Sequence, residues 1–270
     1  MPRYKLLATD LDGTVIGHDL RISDRNRQAF RRLAERGVPL VIATGRMFRA
    51  TVPFAQALGV TTPLVTYQGA LIRHHETLVD TWHHTLDAEL AIEALAALEE
   101  SGMHVNVYTN DELYLRALTP EAESYIALSK VAPTMCGHWH EAIAVGAPTK
   151  IVAIGPEEKV VHWVAKLQAH FGDRLFVTQS LPTFLEIAHP AVGKGAAVAH
   201  LASTLGIRPE EIVTVGDGMN DLDMIQMAGL GVAVGNARDG LKQAADRVTK
   251  AWDEDGVACL IDDLIAEGSL

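Results

Sequence analysis

The chain is short of cysteine, of positive charge and of long apolar runs, and each shortage removes a class of explanation. Two cysteines in 270 residues, Cys136 and Cys259, cannot build a disulfide framework, and they lack the spacing of a metal knuckle, so reduced thiols are expected. Lys and Arg number 23 against 34 Asp and Glu, a net charge of −11. That balance argues against a nucleic-acid backbone or an anionic membrane surface as the main partner, and an anionic substrate would need local positive charge. No segment approaches the ~18 apolar residues of a membrane span. Met1-Pro2-Arg3-Tyr4 leads straight into the first apolar run without a signal-peptide core, so a cytoplasmic location is expected. Internal repeats and low-complexity linkers are also missing.

What is present is a hydrophobic content of 48%, enough for one large core or two modest ones. Near the start, strand Lys5 to Thr9, helix Ser23 to Arg36 capped by Ser23, and strand Pro39 to Ala43 follow one another. Such β-α-β alternation with fully apolar strands predicts a parallel sheet. The runs Leu64 to Tyr67, Ile212 to Val215 and Gly231 to Val234 read as further strands of the same interrupted sheet. Between about Thr85 and His189 the pattern changes to helices at Asp87 to Ser101, Pro120 to Ser129 and Glu157 to Phe171. Strands of alternating polarity lie among them, which predicts an inserted α+β domain. The expected division is 1–84 with 190–270 as one domain and 85–189 as the other.

Four strand ends carry chemistry. Asp10 and Asp12 lie two apart after Leu6-Leu7-Ala8, so in an extended chain both carboxylates project to one side. At about 5 Å and an effective dielectric near 20 they oppose each other by roughly 3 kcal/mol, which a hard cation such as Mg²⁺ would relieve. Gly13 allows a tight turn that leaves N–H groups to face an anion. Thr44-Gly45-Arg46 follows the second strand, where Gly45 is expected to open a helix and bind a phosphate oxygen. Gly193-Lys194-Gly195 begins a helix running through Leu205, and a cation at that positive end calls for negative partners, Asp10 among them. Ile212 to Asp221 is a strand entering a glycine-rich acidic turn, with Asp217 as a third oxygen ligand, Asp221 behind it and Asn220 as an uncharged donor. Each segment alone also reads as turn chemistry, helix capping or a solvated lysine. The four together form a phosphate-and-magnesium toolkit.

DLDGT, ATGR, GKG and GDGMND in this order, with GVAVGNA from Gly231 to Ala237, make the chain resemble the haloacid dehalogenase-like superfamily. The likeness is to its Cof-like phosphatase branch, with a type IIB cap inserted between the second and third motifs, and it covers nearly the whole chain. It implies a Rossmann-like, doubly wound parallel α/β core with an α+β cap that closes over the leaving group. By the same resemblance, Asp10 is the nucleophile forming an aspartyl-phosphate and Asp12 the general acid and base. Mg²⁺ would be held by Asp10, the main-chain carbonyl of Asp12, and Asp217. Thr44, Lys194 and Asn220, with the backbone of Leu11 and Gly45, would bind the phosphoryl group, and Asp221 would stand behind the metal or Lys194. The implied activity is Mg²⁺-dependent hydrolysis of small phosphorylated metabolites such as sugar phosphates, by a monomer or homodimer. Phosphoryl transfer to a second alcohol, or a non-catalytic phospho-ligand sensor, are the alternatives. One departure is Gln68, where this branch more often has asparagine before Gly-Ala. His138 and His140 could share a strand face, but without further ligands no metal site is expected there.

Overall fold

The computed structural model describes residues 2–270. It divides into two compact units, one comprising the residues up to Trp82 together with Gly193–Leu270, the other His83–Val192.

In the first unit, apolar runs with no polar alternation become buried parallel strands, as backbone ladders covered on both faces require. Five strands pair in the order Arg247–Val248, Leu230–Ala233, Ile212–Gly216, Leu6–Thr9, Leu40–Ile42, with every neighbouring pair parallel. Leu6 and Ala8 point to one face, where they pack with Val41, Ile212 and the helix Lys194–Thr204 through Ala197, Val198 and Leu201. Helices Asp24–Glu35 and Gly256–Ala266 pack against each other, tied by Ala258 N–H donating to Asn26 Oδ1. Ser23 caps the first of these by accepting from Asn26 N–H at 3.0 Å, a cap typically worth about 1 kcal/mol. The result is the expected α/β sheet, with one correction. Leu64–Thr66 does not join the parallel ladder as a full strand. It belongs to a three-stranded sheet with Leu71–Arg73, its antiparallel partner, and Asp80–His83. Its link to the main sheet is a single parallel bridge between Ala43 and Val65. The reversal at Tyr67–Gly69 turns the chain back before a crossover can form.

The second unit holds a six-stranded sheet in which neighbours run antiparallel except for the pair Glu112–Leu115 and Thr134–Met135. Alternation in the strands sorts their residues. Val105, Val107, Ile151, Ala153, Leu185 and Ile187 join helices Ala88–Ser101 and Glu157–Phe171 in a hydrophobic core. From the strand positions between them come Asn106, Tyr108, Lys150 and Glu186, a buried polar group in which Lys150 Nζ lies 3.3 Å from Glu186 Oε2. The hairpin turn has Asn110 and Asp111 at φ +52° and +60°, the left-handed pair that suits the twist of the flanking strands.

Two expectations change here. His83, His84 and residues 190–192, assigned on sequence to the first domain, belong to the second unit. His83 Nε2 lies 2.9 Å from Thr149 Oγ1, and the His84 ring stacks on His189 at 4.8 Å. His138 and His140 do not share a strand, because His138 is the cap of a short helix Trp139–Ala144 whose Glu141 accepts from the Gly137 and His138 N–H groups. Both cysteines are free thiols.

Candidate active site

The carboxyl ends of parallel strands leave main-chain groups unpaired just beyond the ladder, and this is where the first unit gathers its charged residues. Asp10 follows strand Leu6–Thr9 and stays registered to the sheet, its N–H donating to Val215 O at 2.9 Å. The chain then closes on itself: Val15 and Ile16 N–H donate to Leu11 O, and Gly13 N–H donates to Ile16 O. The Leu11 side chain is fully buried. Among the described residues, the N–H groups of Leu11 and Asp12 donate to no acceptor in the chain, which leaves two donors beside the Asp10 carboxylate. Gly13 is required twice over. Its φ is +76°, and a Cβ there would stand 2.4 Å from Asp217 Oδ2.

Lys194 is the centre of the cluster. Its side chain is fully buried and donates to Asp10 Oδ1 and to Asp221 Oδ1, both at 2.6 Å. It occupies the first position of its helix, where the macrodipole disfavours a cation. Negative groups offset this, as the sequence required: the two carboxylates just named, and Asp223, whose Oδ2 accepts from Gly195 N–H at 2.8 Å. Burial alone would lower the ammonium's pKa, but Asp10 and Asp221 outweigh it and hold the proton more firmly than in water. Asp221 has no free oxygen, since its Oδ2 accepts from the N–H groups of Asp217 and Gly218 at 2.9 and 3.0 Å. It is therefore a brace for Lys194 and the acidic turn.

Around the cluster, Thr44 is buried, with its N–H on Val65 O and its hydroxyl oxygen accepting from Arg46 N–H at 3.2 Å. Gly45 does not open a helix. The helix spans Phe48–Leu58 with Met47 as its cap, so Thr44, Gly45 and Arg46 form a loop that precedes the helix. Arg46 forms a bidentate pair with Asp12, Nε to Oδ2 and Nη2 to Oδ1 at 2.6 Å each, while its guanidinium lies over the Phe54 ring. Asn220 donates through Nδ2 to Gln68 Oε1 at 3.0 Å. The structure thus brings Asp10, Lys194, Asp217 and Asp221 together and sets Arg46 on Asp12. Sequence reading did not find the Arg46 contact, the Gln68 contact or the Asp223 cap. It also missed Asn236, whose Nδ2 donates to Gly13 O at 2.8 Å while its Oδ1 accepts from Trp252 N–H. The only sequence signal for Asn236 was its place in GVAVGNA.

One oxygen each from Asp10, Asp217 and Asp221 falls within 4.8 Å of the others. Burial raises the Asp10 carboxyl well above its ordinary range; Lys194 pulls it back, and Asp221, Asp217 and Asp12 push it further up. Asp217 is pushed up to about 6, by burial first and then by Asp221, with Lys194 opposing. Asp10, Asp12, Asp217 and Asp221 are opposed by Lys194, by Arg46 and, at Asp217, by Arg238, which leaves an excess of negative charge built from hard oxygen donors. A divalent cation fits that donor set and that deficit.

A measurable linkage follows. Between its ordinary pKa of 3.8 and its folded value of about 6, Asp217 binds more proton folded than unfolded. Its contribution therefore favours folding below about pH 4 and turns unfavourable as pH rises through about 6. A cation held by this carboxylate would compete with that proton. Addition of millimolar MgCl₂ is expected to raise the melting temperature more at about pH 7.5 than at about pH 5. Equal shifts at both pH values would contradict the assignment of Asp217.

The comparisons with known proteins identify the family. The family profile for haloacid dehalogenase-like hydrolases matches residues 7–261. Phosphatase YwpJ of Bacillus subtilis is 30% identical over 97% of this chain and 100% of its own length. The 5-amino-6-(5-phospho-D-ribitylamino)uracil phosphatase YcsE of the same organism is 30% identical over 94% of this chain and 93% of its own. A crystal structure of a haloacid dehalogenase-like hydrolase from Bacteroides thetaiotaomicron superposes with a TM-score of 0.89 at 31% identity, covering 97% of this chain and 99% of that one. With the family profile matching almost the whole sequence and relatives about 30% identical along nearly their full length, the chain belongs to the haloacid dehalogenase-like hydrolase family.

Proposed function

We propose that this hydrolase is a Mg²⁺-dependent phosphatase acting on small phosphorylated metabolites, sugar and polyol phosphates in particular. The observation that carries the reading is the buried Lys194 ammonium held between Asp10 and Asp221 beside Asp217, a site with more acid than base and with free N–H donors next to Asp10. The two phosphatase relatives support it, one named for a substrate that bears its phosphate on a ribityl chain.

On this reading an oxygen of Asp10 attacks phosphorus, and the bond from phosphorus to the ester oxygen breaks, leaving an aspartyl-phosphate. The departing alkoxide takes a proton from the Asp12 carboxyl. Asp12, now a carboxylate, removes a proton from water, whose oxygen attacks the same phosphorus and returns Asp10 with inorganic phosphate. Lys194 and the N–H groups of Leu11 and Asp12 spread the charge on the phosphoryl oxygens, joined by Thr44, Gly45 and Asn220. Mg²⁺ would be held by Asp10, Asp217 and the main-chain carbonyl of Asp12, where it would neutralise the carboxylates and the phosphoryl group together. Both Asp12 oxygens accept from Arg46, so to serve as the acid the Asp12 side chain must rotate off the guanidinium and take up a proton from solvent in the first turnover, or keep the one removed from water in the turnover before.

The test is a phosphate-release screen over sugar phosphates, polyol phosphates, nucleotides and cofactor phosphates, with MgCl₂ and with chelator. Release from polyol or sugar phosphates that is lost on chelation is expected. Release confined to nucleotides would reject the substrate class, and phosphate appearing on an added alcohol in place of water would mark a transferase.

A further inference from the structure

Tyr67, Gln68 and Gly69 stand consecutively at φ +53°, +58° and +93°. The first two bear side chains in the left-handed region, a conformation that costs on the order of 1 kcal/mol or more per residue and persists where the surroundings enforce it. Here the enforcing contacts are specific. Tyr67 N–H donates to Arg46 O at 2.9 Å and Gln68 N–H to Thr44 O at 3.0 Å, so the reversed backbone grips the loop that carries Thr44 and Gly45. The Gln68 side chain lies across that loop, its Nε2 only 2.5 Å from where a Cβ on Gly45 would stand. Its Oε1 accepts from Asn220 Nδ2. On its other side Asn220 is fixed against Gly218, where an added Cβ would fall 2.2 Å from Asn220 Oδ1.

An amide has one acceptor end and one donor end, and an acceptor facing it decides which end it presents. We infer that Gln68 is a positioning residue of this site: its carbonyl turns the Asn220 NH₂ inward so that the second N–H meets the phosphoryl group. Its body meanwhile locks the Thr44–Gly45 loop at the matching distance. Two segments far apart in sequence thereby act as one anion-binding surface. The inference rests on the phosphatase reading and adds a residue to it.

Orthovanadate in the presence of MgCl₂ probes the anion surface by calorimetry, independently of turnover. Gln68→Met keeps the length of the side chain and removes the acceptor. Gln68→Gly removes the side chain and suits the backbone conformation. Both are expected to weaken vanadate binding roughly three- to tenfold, the worth of one hydrogen bond, and to raise KM more than they lower kcat. Gln68→Gly is expected to melt no lower than wild type, an outcome that a merely structural role would not give. In an Asn220→Ala background, Gln68→Met is expected to add less than about a twofold loss, because its partner is already gone. Wild-type vanadate affinity in Gln68→Met, or a full independent loss in the Asn220→Ala background, overturns the assignment. Vanadate binding by a wild-type protein that releases phosphate from no substrate strikes the phosphatase reading and leaves the same comparison to decide Gln68. A wild type that binds no vanadate overturns both.

Discussion

Asp10→Asn is expected to lower metal-dependent phosphate release by a factor on the order of 10⁴ or more, because it replaces the attacking oxygen with an amide that forms no acyl-phosphate. The same variant is expected to melt at or above the wild-type temperature. Asp10 is buried, its carboxyl is raised by burial and by three neighbouring acids, and the neutral amide removes that repulsion while leaving Lys194 paired to Asp221. Phosphate assays and thermal melts on one preparation check both halves. Turnover within about tenfold of wild type would show that another group attacks phosphorus.

The second large effect belongs to Lys194, and here activity and stability should fall together. Lys194→Met keeps most of the volume but leaves Asp10 and Asp221 facing each other in a buried site without a counter-charge. Stranding a charge in this way costs about 3–5 kcal/mol. For a chain of this size that corresponds to a drop of about 10 °C in melting temperature. Loss of the ammonium from the phosphoryl site is expected to lower kcat by roughly a hundred- to a thousandfold. Adding Asp221→Asn to Lys194→Met should restore part of the melting temperature and none of the activity, since it removes a stranded charge without returning a cation. A double variant no more stable than the single one would show that the ammonium acts through packing alone.

The strand ends were legible in the sequence because buried parallel strands read as unbroken apolar runs, and chemistry-bearing residues directly follow each run. Lys194 could be matched with Asp10 on charge logic alone: a cation at the start of a helix needs acids nearby, and the structure supplies them at 2.6 Å. The helices of the second unit were readable for the same periodic reasons, Pro120–Ser129 and Glu157–Phe171 with the predicted bounds. What escaped depends on how loops fold over one another. Gly45 was expected to open a helix because glycine after a strand commonly does. In the structure the Thr44–Arg46 loop is held instead by backbone bonds from Tyr67 and Gln68, and the helix waits until Phe48. Leu64–Thr66 has the composition of a buried parallel strand, and nothing local announces that the chain reverses after it. The contacts of Arg46 with Asp12 and of Gln68 with Asn220 join residues remote in sequence through long flexible side chains, which carry no periodic signal.

The split of the first unit across the chain has a consequence for how the protein is made. Leu6–Thr9, the strand that delivers Asp10, is central in its sheet, and one of its flanking partners is Ile212–Val215. At translation speeds of about 5–20 residues per second, that apolar strand emerges from the ribosome some tens of seconds ahead of this neighbour. The intervening His83–Val192 unit has its own hydrophobic core and can collapse meanwhile, while the leading segment waits with one edge open. Newly made chains are thus most exposed to sticking and to chaperone capture during this interval, before any catalytic centre can exist.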